Sequence, residues 1–358
     1  MKKLDRYILK QFLGTFAFTL VLILLISVVF DVSEKIDDFF RREAPLDAII
    51  RDYYFNFIIH YGLLFSALFT FIAVILSTSK LANNTEVIAI LNCGLSLKRL
   101  LYPYFVGAFV IASTSFLLNN WVLPTTNQSR LDFEQEYIRF KKNQRYKNIH
   151  RQISKDNYIY LESYNTAKQK GFRFSYEIFE NDQLASKYKA DFITWDTLEQ
   201  KWLAESYNYR ELLEKGEKVE RGSSQFKDFG FKPEELVYQK NTTNLMTLPE
   251  LHNFIAKEKE RGAENLHFYY LDLYQRYATP FTTFILTLIG FSLAIHKKRG
   301  GIGLNLVYGF VLTTLFILFQ KVSITFTTNS DFSPLLAIWL PNIVFGAFAY
   351  YLFRKANR

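Results

Sequence analysis

Phe12–Phe30 reads FLGTFAFTLVLILLISVVF, 19 residues without a charge. A helix rises ~1.5 Å per residue and bilayer hydrocarbon is ~30 Å thick, so about 20 apolar residues cross it. The stretch reads as a membrane-spanning helix. Five more follow: Tyr53–Ser79, Leu100–Leu123, Tyr277–Ile295, Gly300–Gln320 and Phe332–Phe353. Within all six, His60 alone charges near neutral pH. A mid-helix charge costs ~2.5–3.5 kcal/mol on insertion scales, so charge-free windows of this length carry meaning. Three spans come early and three late.

Lys2, Lys3, Arg6 and Lys10 precede the first span, as they would in a signal peptide. The apolar core is too long for one, and the bulky, acidic Phe30–Asp31–Val32–Ser33–Glu34 stands where small residues would mark cleavage. The helix is expected to be retained.

Composition agrees. Hydrophobic residues make up 49% of the 358 and aromatics 18%, which excludes a disordered or low-complexity chain. The single cysteine, Cys93, excludes a disulfide framework. A net charge of +9 invites a nucleic-acid reading, but its placement argues otherwise. The N-terminal tail, Lys80–Arg99, His296–Arg299 and the tail from Arg354 hold 13 Lys/Arg against two acids, Asp5 and Glu86. Asp31–Asp52 is net acidic. By the excess of Lys and Arg in cytoplasmic loops, both termini are cytoplasmic and the long insert between spans three and four faces the other compartment.

That insert is polar, charged and strand-like. In Phe172–Phe179, strict alternation sends Phe172, Phe174, Tyr176 and Ile178 one way and Arg173, Ser175 and Glu177 the other. Glu180–Asn181–Asp182 supplies a turn. Tyr158–Leu161, Tyr188–Ile193, Trp202–Tyr209 and Gln225–Phe231 read as further strands, so an antiparallel sandwich or jelly roll is expected. Thr247–Leu248–Pro249–Glu250 reads as a capping box opening a helix. Beyond it Tyr269, Tyr270, Tyr274 and Tyr277 read as an interfacial aromatic belt.

No phosphate loop, dinucleotide fingerprint, H-E-x-x-H or G-x-S-x-G occurs, and the five histidines lack metal-ligand spacing. No catalytic and no metal-binding residues are expected. His60 reads as a histidine bonded to a backbone carbonyl or lining a polar seam.

Asn84–Ser96 reads as a short amphipathic cytoplasmic helix. Thr85 can cap it, Glu86 suits its positive end, Ile88, Leu91 and Leu95 recur at helical spacing, and Gly94 can end it. Such a helix either lies on the bilayer or docks on a partner. A free thiol at Cys93, if buried, would act as a small hydrophobe.

Six spans divided three and three, a strand-rich insert and T-E-V-I-A-I-L-N-C-G-L-S at Thr85–Ser96 resemble the LptF/LptG family. The resemblance extends to L-P-E-L-H-N-F-I at Leu248–Ile255, Y-Q-R-Y-A-T-P at Tyr274–Pro280 and W-L-P-N at Trp339–Asn342. It implies a membrane bundle of six transmembrane helices (3+3) with an inserted all-β, jelly-roll-like periplasmic domain. Residues 1–123 would carry helices 1–3 with a coupling helix at about 84–95. Residues 124–250 would form the β domain, 251–276 a connecting helix and 277–358 helices 4–6. The implied function is that of a permease for lipopolysaccharide export in the bacterial inner membrane. A membrane-anchored scaffold, whose β domain binds a protein without transport, is the alternative.

The implied partners are a dimeric ATPase of LptB type, a second LptF/LptG permease, periplasmic bridge proteins of LptC/LptA type, and lipopolysaccharide. This chain would bind no cofactor itself, with ATP and Mg held by the ATPase. Glu86, Ile88, Ala89, Leu91, Gly94 and Ser96 would form the ATPase-coupling site. Lys35, Arg41 and Arg42 are candidates for substrate phosphate, although the arginines can equally pair with Asp37, Asp38 or Glu43. Extracting a lipid with about six acyl chains opposes a cost of ~0.8 kcal/mol per methylene, so its route must stay apolar. Phe172, Phe174, Tyr176 and Ile178 either line that route or fill a closed core.

Overall fold

The computed structural model describes residues 2–138, 145–180, 183–213, 216–233, 236, 243–261, 266–296, 301–329 and 332–357. The expected turn at Asn181–Asp182 and the basic Lys297–Arg299 loop lie outside them. The chain divides into two compact units: Met1–Ile138 with Thr243–Leu251 and His267–Arg358, and Arg139–Thr242 with His252–Leu266.

In chain order the helices are α1 (Lys3–Arg41), α2 (Leu46–Ala48), α3 (Phe55–Leu64), α4 (Ser66–Asn83), α5 (Glu86–Asn92), α6 (Leu97–Leu117) and α7 (Leu123–Phe133). After the strands come α8 (Leu248–Glu260), α9 (Leu266–Ala294), α10 (Gly301–Asn329) and α11 (Pro334–Ala356). Among the described residues six helical runs are long and apolar enough to cross a membrane, the third extending over Leu97–Ile138.

That third run differs from the sequence reading. Residues 124–138, expected to open the β domain, are helical, because π-type turns at Leu118–Val122 and Glu134–Ile138 bridge α6 to α7 and prolong it. Pro124 stands in the first turn of α7, where its missing N–H costs nothing. The second span also has a joint. Phe65 (φ −102°, ψ 4°) separates α3 from α4, while the bonds from Phe65 N to Tyr61 O (3.1 Å) and from Phe69 N to Phe65 O (3.0 Å) keep the axis continuous.

The main core of this unit gathers Ile8 and Phe12 of α1, Val74 and Leu81 of α4, Tyr104 of α6, Phe291 of α9 and Phe353 of α11. Burial is uneven. In its most apolar window α4 is 67% buried, whereas α1 is 17% buried and exposes Phe18, Val29 and Phe30.

The other unit is a six-stranded antiparallel sheet in sequential order: β1 (Arg145–Ser154), β2 (Asn157–Asn165), β3 (Lys170–Glu180), β4 (Gln183–Asp196), β5 (Lys201–Leu212) and β6 (Glu217–Lys227). The expected all-β insert is present, built as a meander. Its apolar face carries Ile159, Leu161 and Tyr164 of β2, Phe174 of β3, Tyr188, Ala190 and Ile193 of β4, and Trp202 and Ala204 of β5. Two expectations need correction here. Gln225–Phe231 is strand only to Lys227, and beyond it Phe229 and Phe231 fold against the apolar face. Trp202 Nε1 donates to Phe231 O at 2.9 Å and fixes that return.

The second correction concerns alternation. The inward set slips by one residue along a single row of the sheet: Leu161 to Tyr164, Ala190 to Ile193, and Ala204 to Tyr207. Register places Asn148, Glu162, Arg173, Asp191 and Ser206 in that row, and Asn148, Arg173 and Ser206 are left-handed, with φ of 54°, 50° and 54°. On β3 the slip makes Gly171 an inward position, where a Cβ would meet Leu161 at 2.5 Å. Phe172 therefore does not share a face with Phe174 and Tyr176. It meets the Phe192 ring at 5.5 Å, and the Lys170 ammonium lies 4.5 Å from that same ring.

Candidate functional site

Helix α5 begins at Glu86 and is shorter than the sequence proposes. Thr85 does not cap it: the residue is left-handed (φ 62°) and its hydroxyl donates to Asn84 O at 2.6 Å. Gly94 (φ 82°) ends it, its N–H donating to Leu91 O at 3.0 Å. The helix is two-sided. Val87 is buried in the main core, whereas Ile88 (54%), Ala89 and Leu91 (36%) are exposed. The helix thus presents an apolar edge, Ile88–Ala89–Leu91, on the side away from the core. Cys93 is exposed beside it, so the role of a buried small hydrophobe does not arise.

Glu86 accepts from the Tyr7 hydroxyl of α1 and from Asn84 Nδ2, both at 3.1 Å. Its carboxylate retains lone pairs for a further donor. Ser96 plays a structural part, accepting from Arg99 N at 3.3 Å as the N-cap of α6. Arg99 also clamps Asp5 of α1 at 2.7 Å, and Asp5 is nearly fully buried. Two contacts thus tie the start of α1 to the α5–α6 region: Tyr7–Glu86 and Asp5–Arg99. Neither is visible in local sequence, since the partners lie 79 and 94 residues apart.

At the other end of α1, Lys35 bonds Asp31 one turn back and the hydroxyl of fully buried Tyr53. Its ammonium lies 4.9 Å from the Tyr53 ring centre, within an aromatic nest of Phe39, Tyr53, Phe57 and Phe133. Tyr54 donates to the second Asp31 oxygen at 3.3 Å. Arg42 Nη1 is engaged by Glu136 O at 2.8 Å, while Arg41 is exposed. The three cations are therefore unlike: one held in a nest, one on a backbone carbonyl, one in solvent.

In the β unit Phe174 is buried and Tyr176 half-buried, and both rings pack on Phe229, at 4.8 and 5.4 Å. Ile178 is half-buried. The Lys227 ammonium stands 4.6 Å from the Tyr188 ring centre and 5.0 Å from that of Tyr209, and burial pushes its pKa below the ordinary lysine value. Sequence reasoning missed Phe229, Phe231 and Lys227 as partners of this face, because a chain returning under its own sheet leaves no periodic signal.

The expected capping box is present, with Thr247 N donating to Glu250 Oε2 at 2.8 Å. That bond holds the Glu250 carboxyl below the usual range. Of the expected aromatic belt, Tyr269 is buried, while Tyr270 and Tyr274 stack at 5.8 Å. No curated protein matches the chain. The family model of the lipopolysaccharide export system permease LptF/LptG matches residues 6–355. With six membrane-capable helices and the inserted sheet, the chain belongs to the LptF/LptG family of lipopolysaccharide export permeases.

Proposed function

We propose that the chain is the moving, non-catalytic subunit of an ATP-driven transporter. It draws lipopolysaccharide from the outer leaflet of the inner membrane and hands it to periplasmic bridge proteins. Both termini and α5 are cytoplasmic, and the β unit is periplasmic. Hydrolysis, with its ATP and Mg, belongs to an LptB-type ATPase dimer, and a second LptF/LptG permease completes the body.

The observation that carries this reading is the exposed Ile88–Ala89–Leu91 edge with Glu86 beside it. An apolar anchor next to a charge-assisted contact suits force transfer to an ATPase groove. Weakly buried α1 offers its apolar side to the second permease or to lipid. Lys35 is the phosphate contact at the membrane edge, exchanging Asp31 for the lipid's charge. Phe174, Tyr176 and Ile178 face the lipid route, and passage requires that Phe229 move aside. Phe172 is carried with these as a second, outward contact.

The test is co-purification from membranes with a tagged copy. The expected result is a nucleotide-hydrolysing subunit, a related permease and lipopolysaccharide together, with Leu91→Asp and Glu86→Arg each losing the ATPase. Full retention of the ATPase by both variants would reject the coupling assignment. A tagged copy that brings only soluble periplasmic proteins would favour the scaffold reading.

A further inference from the structure

Strand β6 gives the apolar face of the sheet a polar margin. Residues directly opposite one another in an antiparallel ladder share a face. Register sets Glu220 against Tyr209, Gly222 against Tyr207, Gln225 against Ala204 and Lys227 against Trp202, so these four stand on the side of the apolar core. Two of the three polar side chains are engaged by it. Glu220 accepts from the Tyr207 hydroxyl at 3.0 Å, and Gln225 from the Tyr188 hydroxyl at 3.3 Å. Lys227 is the third.

Lys227 is half-buried, and its ammonium rests on ring faces. The Tyr188 centre lies at 4.6 Å, that of Tyr209 at 5.0 Å and that of Phe229 at 5.8 Å. An ammonium has three N–H donors. Among the described residues none of the three meets a hydrogen-bond acceptor, and no carboxylate stands within 4.0 Å. Glu220 is the anion whose charge bears on it, from beyond that distance and while bonded to Tyr207. Asp228, next in the chain, accepts from Gly230 N at 2.8 Å. Ring faces attract the charge but leave the strong acceptor contacts of an ammonium unmade. The same rings continue into the apolar face. Tyr188 packs on Phe229 at 5.2 Å, and Phe229 on Phe174 and Tyr176.

A cation short of acceptors, at the margin of a surface suited to apolar chains, complements an amphiphile with an anionic head. A cationic head is selected against, because Lys227 already fills the aromatic box that would hold it. We propose that Lys227 heads a binding site on the β unit for the phosphate of an acylated amphiphile, whose chains lie along Tyr188, Phe174 and Tyr176 in place of Phe229. This site rests on the reading of the β unit as a lipid route, to which it adds a phosphate contact beyond Lys35. The phosphate gives the ammonium charge-assisted hydrogen bonds that no described side chain gives it, and the rings hold the ammonium ready for them. Glu220 confines the anion to the Lys227 end of the margin, since like charges repel at the other.

The full chain, co-purified with its native partners in detergent, is labelled with two photoreactive probes that share one diazirine-bearing dodecyl tail. One ends in phosphate and the other in trimethylammonium, and the adducts are mapped by peptide mass spectrometry. The phosphate probe should label β3, β4 and residues 227–231 at a concentration about tenfold lower than the trimethylammonium probe needs. Lys227→Arg should keep that preference. Lys227→Ala should reverse it, because the emptied rings of Tyr188, Tyr209 and Phe229 then accept the quaternary ammonium. Lys227→Met refills the space without charge and should equalise the probes, which covers a failure of Lys227→Ala to fold. Equal labelling of the native chain, or a phosphate preference that survives in Lys227→Met, would overturn the site. Lipopolysaccharide should block the phosphate probe. A phosphate preference that phosphatidic acid blocks and lipopolysaccharide does not would keep the site and overturn its place on the lipid route.

Discussion

Trp202 shows what one buried donor fixes. It is fully buried, and its indole N–H meets the carbonyl of Phe231. Trp202→Phe leaves that carbonyl unpaired and should cost ~1–3 kcal/mol, read as a lower unfolding midpoint of the β unit by near-ultraviolet circular dichroism. Glu177 sets a pH response. Burial alone would raise its carboxyl pKa, but bonds from Lys187 at 2.5 Å and Ser175 at 3.0 Å prevail and hold it below the usual range. A folded pKa below the unfolded one stabilises at neutral pH, and the gain is lost as pH falls through the folded value. The stability gap between the native chain and Glu177→Gln should therefore be open at pH 7 and close below pH ~4, the unfolded carboxylate range. At this scale the sequence was legible for what a residue is and silent on whom it meets. Glu86 and Lys35 stand out by type and position, but Tyr7 and Tyr53, which hold them, do so only through the fold.

Elements were legible wherever periodicity is long. Six apolar windows of helix length admit no other reading, and the insert's short alternating runs announced strands. Boundaries were less so. A helix that goes on past its apolar stretch, as α6 does through α7 to Ile138, has no compositional mark at the bilayer edge. Strict alternation failed on β3 because a left-handed residue in mid-strand adds one step, and Arg173 is not a residue type that advertises that conformation. Its φ supplies a test. Arg173→Val should destabilise the β unit by ~1 kcal/mol or more, because a side chain branched at Cβ crowds a left-handed backbone beyond what arginine does, whereas Arg173→Asn should be neutral or slightly stabilising. Thermal unfolding of the two variants side by side separates conformation from loss of the exposed pair with Glu162.

For the molecule as a whole, the fold is written in hydropathy and the working parts in long-range contacts. α1 is the clearest case, with the least buried apolar window of the six, and both ends bound to chemistry. At one end Tyr7 holds Glu86; at the other Lys35 holds Asp31 and Tyr53. From Tyr7 to Lys35 the unbroken helix runs about 42 Å with no internal proline. On the coupling proposed above, an axial tug on Glu86 would pass through the Tyr7 hydroxyl to α1 and along it towards the far cation, since a helix yields by bending far more readily than by stretching. Tyr7→Phe cuts the linkage without touching either terminus of it. It should leave nucleotide turnover by the assembled complex near normal while lipid release per ATP falls, a slipping clutch in place of a broken engine.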